Sequence, residues 1–93
     1  MLFVTSYTLK SHLTKADSKR LMDEFGKRGA APGEIAHYLK IDGSGGVTIS
    51  ENDDAAPIYE YVLAFAEFMD FDITPALKIE DAVGPILAWL GAS

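Results

Sequence analysis

The stretch IDGSGGVTISENDD, residues 41–54, holds the residue types of a phosphate cradle or a cation loop. A phosphate loop needs a lysine after its glycines and then a helix whose N-terminus faces the anion. No lysine follows Asp42-Gly43-Ser44-Gly45-Gly46, and the next residues have the β-branched character of a strand. An EF-hand loop counted from Asp42 needs glycine at its sixth position, where Val47 stands. The segment therefore reads as a five-residue hairpin turn, with glycines for positive φ and Asp42 bonding to nearby backbone. Asn52, Asp53 and Asp54 are adjacent residues that do not converge on a cation, and they read as the cap and first turn of a helix.

The remaining polar groups are dispersed. His12 falls in a loop, and His37 shares a strand face with Ile35 and Leu39, as a packed histidine does. No nucleophile elbow and no Ser/His/Asp grouping is legible, so no residue is assigned as catalytic and none as a metal ligand. Ser6, Tyr7, His37, Tyr38 and Trp89 are the polar and aromatic groups available to a ligand cleft between a sheet and its helices. Asp70 and Asp72 stand two residues apart on a strand, about 7 Å at roughly 3.3 Å per residue. They read as a solvated acidic edge that discourages aggregation or faces a basic partner.

Ninety-three residues, 48% of them hydrophobic and 11% aromatic, suit one globular domain spanning 1–93. The absence of cysteine excludes disulfides and thiolate chemistry. Residues 1–41 carry a net +3 and residues 42–93 a net −9, giving −6 in all. An acid-rich surface excludes the clustered cations that nucleic acid requires. No apolar run is long enough for a signal peptide or a membrane span, so a cytoplasmic location is expected.

Around these residues the chain reads β-α-β-β-α-β with a further helix. Leu2–Leu9 is a strand with Phe3, Thr5, Tyr7 and Leu9 on one face. Thr14 caps a helix from Lys15 to Arg28, with Asp17 completing a capping box and Gly29 at its end. Glu34–Ile41 and Val47–Glu51 form the hairpin. A helix from about Asp54 to Phe68 buries Ile58, Tyr61, Val62, Phe65 and Phe68. Met69–Leu77 alternates Met69, Phe71, Ile73, Pro75 and Leu77 against polar neighbours, and Pro75 places it at a sheet edge. The last helix, Asp81–Leu90, would turn Val83, Ile86, Leu87 and Leu90 to the core. This order predicts a ferredoxin-like α+β fold, with an antiparallel sheet in the order 4-1-3-2 and two helices on one face.

Four features together resemble the dimeric α+β barrel superfamily: the opening strand MLFVTSYTL, the turn DGSGG leading into VTISEND, the helix start NDDAAPIYEYV and the strand FDITPAL. The chain is similar to one of the superfamily's small bacterial families known only as domains of unknown function. The resemblance implies a homodimer whose two sheets share a barrel-like core, and a cleft in which relatives bind substrates without a cofactor. Phe71, Ile73 and Leu77 are the expected dimer contacts. The helix-borne axial histidine of the haem-degrading members has no counterpart at His12 or His37. The expected function is a small acidic homodimeric protein-binding or regulatory module without catalytic activity or cofactor, a basic protein being the partner its charge suits. The alternative is a cofactor-free enzyme or small-molecule carrier acting in the cleft.

Overall fold

The computed structural model describes residues 1–91. Its elements are β1 (Leu2–Leu9), α1 (Lys15–Arg28), β2 (Glu34–Leu39), β3 (Gly45–Glu51), α2 (Ala56–Leu63), β4 (Met69–Ala76) and α3 (Ile79–Trp89). The four strands form one antiparallel sheet in the order β2-β3-β1-β4. This is the ferredoxin-like βαββαβ arrangement with an added C-terminal helix. Pro75 lies on β4, an edge strand, where its missing N–H breaks no ladder.

The first helix is set locally. The Thr14 hydroxyl accepts from the Asp17 N–H at 3.1 Å, and the Asp17 carboxylate accepts from the Thr14 N–H at 3.0 Å. Gly29 ends the helix at φ 71°, a conformation that costs glycine little. The hairpin closes through Lys40 N–H to Gly45 O at 2.9 Å, with Gly43 at φ 75° and the Asp42 side chain accepting from Ser44 N–H at 2.9 Å.

The strand faces follow from the register. On β1, Phe3, Thr5 and Tyr7 point to the side that carries α2 and α1, and face Ser50, Thr48 and Gly46 on β3. On β4 the same side holds Ile73 and Phe71, opposite Thr5 and Tyr7. Phe3 buries against Ile58 and Val62, with Phe71 and Ile73 packed beside them. A second cluster joins Phe65, Phe68 and Met69 to Tyr7, Leu21 and Tyr61. Both clusters gather under α2. No residue of α1 is buried.

Four expectations are corrected. First, β2 ends at Leu39, and a bulge between Glu34 and Ala36 interrupts its alternation. Glu34 opposes Ser50 and His37 opposes Thr48, so Glu34 and His37 lie on the helix side, while Ile35 is 62% exposed. Second, α2 stops at Leu63 and not at Phe68. Ala64, Phe65, Ala66 and Phe68 each donate to the carbonyl three residues back. Val62, Phe65 and Phe68 recur every third residue, and three residues per turn is the spacing that buries all three in a row. Third, the α2 entry is held by the Asp54 side chain, which accepts from Ala56 N–H at 2.7 Å, and not by Asn52 or Asp53; Asn52 instead donates to Pro32 O at 2.9 Å. Fourth, α3 begins at Ile79, and its apolar side does not face the core. Val83, Ile86, Leu87 and Leu90 are 45–63% exposed. Leaving the sheet edge after β4, α3 runs away from the body, which makes the molecule 59 Å long with a radius of gyration of 16.4 Å. About 12 Å is usual for a compact chain of this length.

Candidate functional site

The clusters under α2 leave the space under α1 unfilled. There, a cleft of about 350 Å³ opens between the sheet and the two helices. Its roof is Leu21, Met22 and Phe25 of α1, Tyr61 of α2 and Phe65 of the turn after it form one wall, and Thr5, Thr48 and Phe71 pave the floor. That volume lies within the range of small-molecule sites, roughly 300–1,000 Å³, and the mainly apolar lining suits one. α1 is tied down at its margins: Arg20 pairs with Glu67 at 2.7 Å and covers the Phe68 ring, and the Tyr61 hydroxyl donates to Gly29 O at 2.6 Å.

Three polar side chains converge at the β2 wall. The Tyr7 hydroxyl meets His37 Nε2 at 2.6 Å, and the two rings meet edge to face with centroids 5.7 Å apart. His37 Nδ1 lies 3.7 Å from Glu34 Oε1, beyond hydrogen-bond range. When His37 is neutral and accepts the Tyr7 proton at Nε2, its own proton sits on Nδ1 facing Glu34. Burial, and then the Glu34 charge, push the Tyr7 phenol above its ordinary value; the same two causes, in the same order, raise Tyr61. The β2 end of the cleft thus carries the negative charge of Glu34.

The glycine pair of DGSGG makes room for this group. A methyl group on Gly46 would stand 2.5 Å from the Tyr7 hydroxyl and 2.5 Å from Tyr38 O; on Gly45 it would run into Tyr7 O. The Tyr7 ring therefore lies across β3 toward His37 only because position 46 has no side chain.

Of the five expected cleft residues, Tyr7 and His37 come together. Ser6 and Tyr38 point to the opposite, helix-free face, because adjacent strand residues alternate. Trp89 is 83% exposed on α3 and does not line the cleft. Asp70 and Asp72 are exposed on that same helix-free side of β4, opposite Thr8 and Ser6. Phe71 and Ile73 are half-buried against the α2 core, whereas Leu77 is 71% exposed between β4 and α3. Glu34 is the site residue that sequence reasoning missed, because strict alternation places it opposite His37 and only the bulge brings the two together. Among the described residues, no three His, Asp or Glu side chains are grouped to hold a metal ion, and no helix is long and apolar enough to cross a membrane.

A ferredoxin-like sheet with a cleft beneath its first helix defines the class of protein. Residues 1–88 match the family described as a domain of unknown function, DUF3303, and the chain belongs to that family. No curated protein matches it.

Proposed function

We propose that this protein binds a compact apolar small molecule in the cleft under α1, with the Tyr7–His37 pair as the polar handle. The cleft itself carries the reading: a mainly apolar hollow of about 350 Å³ in which polar groups converge on one wall. A core packed only for stability fills such a gap, since native interiors leave few voids larger than a water molecule. This reading takes up the alternative expectation, a small-molecule carrier acting in the cleft, in place of the protein-binding module. The test is titration with a neutral bicyclic probe such as 1-naphthylmethanol, followed by amide NMR. Shifts at Tyr7, Phe25 and Thr48 support the reading. Thr48 stands on the floor between Thr5 and His37, so Thr48→Trp fills the hollow and abolishes binding while the fold survives. An unresponsive cleft at millimolar probe, or unaltered binding by Thr48→Trp, contradicts it.

The protein acts as a homodimer in this account, in line with the resemblance to dimeric α+β barrels. The helix-free face presents Leu2, Val4, Val47 and Ile49, and α3 presents its apolar side to water. An 11-residue helix with Gly84-Pro85 at its middle is marginal without tertiary contacts. A second copy that covers both surfaces supplies them.

A further inference from the structure

The chemistry of the β2 wall narrows what the cleft accepts, on the reading that the cleft binds a small molecule. We infer that its ligand is an organic cation: an apolar one- or two-ring compound carrying a protonated amine that sits against the Glu34 carboxylate.

Glu34 is the observation that points there. Its side chain lines the cleft and is only 19% exposed, yet among the described residues its carboxylate receives no hydrogen bond and pairs with no lysine or arginine. Its one charged-group neighbour is His37 Nδ1 at 3.7 Å, too far to donate a hydrogen bond. Among the described residues no buried side-chain oxygen is without a partner, so the Glu34 oxygens are open to the cleft's solvent, where a bound cation can reach them. The cations nearest in sequence and fold are otherwise engaged. Arg28 is held by Glu24 at 2.6 Å, and Lys40, which also lines the cleft, lies past the end of β2 beside Asp42 and makes no ion pair with Glu34.

The walls suit the same ligand. Tyr7, Phe25 and Tyr61 place aromatic rings around the cleft, with the Phe25 ring 6.4 Å from that of His37. Aromatic faces attract a desolvated ammonium group through the ring quadrupole. Burial raises the phenols of Tyr7 and Tyr61, and the Glu34 charge adds to it by disfavouring a second negative charge nearby. An anionic ligand would meet that charge too. Tyr7 adds an acceptor: with its O–H donating to a neutral His37 at Nε2, the lone pairs of its oxygen remain for an N–H donor.

The test uses the full chain and three isosteres: 1-naphthylmethylamine as the cation, 1-naphthylmethanol as the neutral form and 1-naphthoate as the anion, each titrated by calorimetry near neutral pH. A hydrogen bond to a charged group is worth about ten- to a hundredfold in affinity. The wild type is therefore expected to bind the amine about tenfold or more tighter than the alcohol, and the naphthoate weakest. Glu34→Gln erases the preference for the amine over the alcohol, and its circular dichroism spectrum shows that the variant is folded. Equal binding of amine and alcohol, or an amine preference that survives Glu34→Gln, overturns the inference while leaving the cleft reading intact. If none of the three binds, the cleft reading fails and the inference with it.

Discussion

Gly46→Ala tests whether the glycine pair exists to seat Tyr7. The added methyl would lie 2.5 Å from the Tyr7 hydroxyl, 2.8 Å from Cζ of the same ring and 2.5 Å from Tyr38 O. Carbon contacts are optimal at about 3.5–4.0 Å, so both the ring and the β2 backbone must move by about 1 Å. Overpacking of this kind costs about 1–3 kcal/mol. Displacing the phenol also breaks its 2.6 Å bond to His37, worth about 0.5–1.5 kcal/mol. The reduced freedom of alanine in the unfolded chain returns about 0.4–1 kcal/mol. The net is about 2 kcal/mol, a fall in Tm of roughly 8–16 °C for a domain of this size. Thermal denaturation followed by circular dichroism measures it. Gly43→Ala is the comparison: its φ of 75° disfavours alanine, but nothing stands within 4 Å of the new methyl, so it should cost about half as much. In a Tyr7→Ala background the Gly46→Ala penalty should shrink by about 1 kcal/mol, leaving the part owed to Tyr38 O. A Gly46→Ala protein that melts within about 2 °C of the wild type, with the Tyr7 ring resonances unmoved, would refute the placement of Tyr7 across β3.

Other perturbations have equally definite outcomes. Tyr7 and Tyr61 have folded pKa values raised above the ordinary 10.0, so the folded state holds their protons more tightly. Their contribution is complete below about pH 10 and is lost as pH rises beyond it; Tm should fall on the alkaline side, and Tyr7→Phe should flatten that fall. Thr14→Ala removes the α1 cap and should cost about 1 kcal/mol in chemical denaturation. Backbone and side-chain bonding to Thr14 holds the Asp17 carboxyl below its usual range, so the benefit of this capping box is present above about pH 4 and fades as acid protonates Asp17. Ile86→Asp on the exposed side of α3 should convert a dimer to a monomer by light scattering; an unchanged mass would remove α3 from the interface.

Local chemistry made much of this fold readable. β1 and α1 appear with the boundaries that Leu2–Leu9 alternation and the Thr14–Asp17 box indicate, and strand pairing follows from connection length and handedness. Tertiary context decided the rest. Nothing in GEIAHYL signals that Ile35 would be the extra residue of a bulge, yet that single insertion brings Glu34 beside His37. The apolar spacing of Val62, Phe65 and Phe68 supports a helix or a tighter turn equally well, and burial against Met69 and Tyr7 selects the tighter turn. Pairing Ser6 with Tyr7, or Tyr38 with His37, in one cleft conflicts with strand alternation, since each pair straddles the sheet. α3 has a helix's amphipathic pattern, but the pattern does not say whose surface it meets.

The most direct test of the account is mapping 1-naphthylmethylamine onto the labelled protein by NMR. The account predicts saturable shifts confined to the cleft, at Tyr7, Phe25, Glu34, His37 and Thr48, with Val4 and Ile49 on the helix-free face unmoved. Shifts scattered over the helix-free face and α3, with the cleft silent, would contradict it.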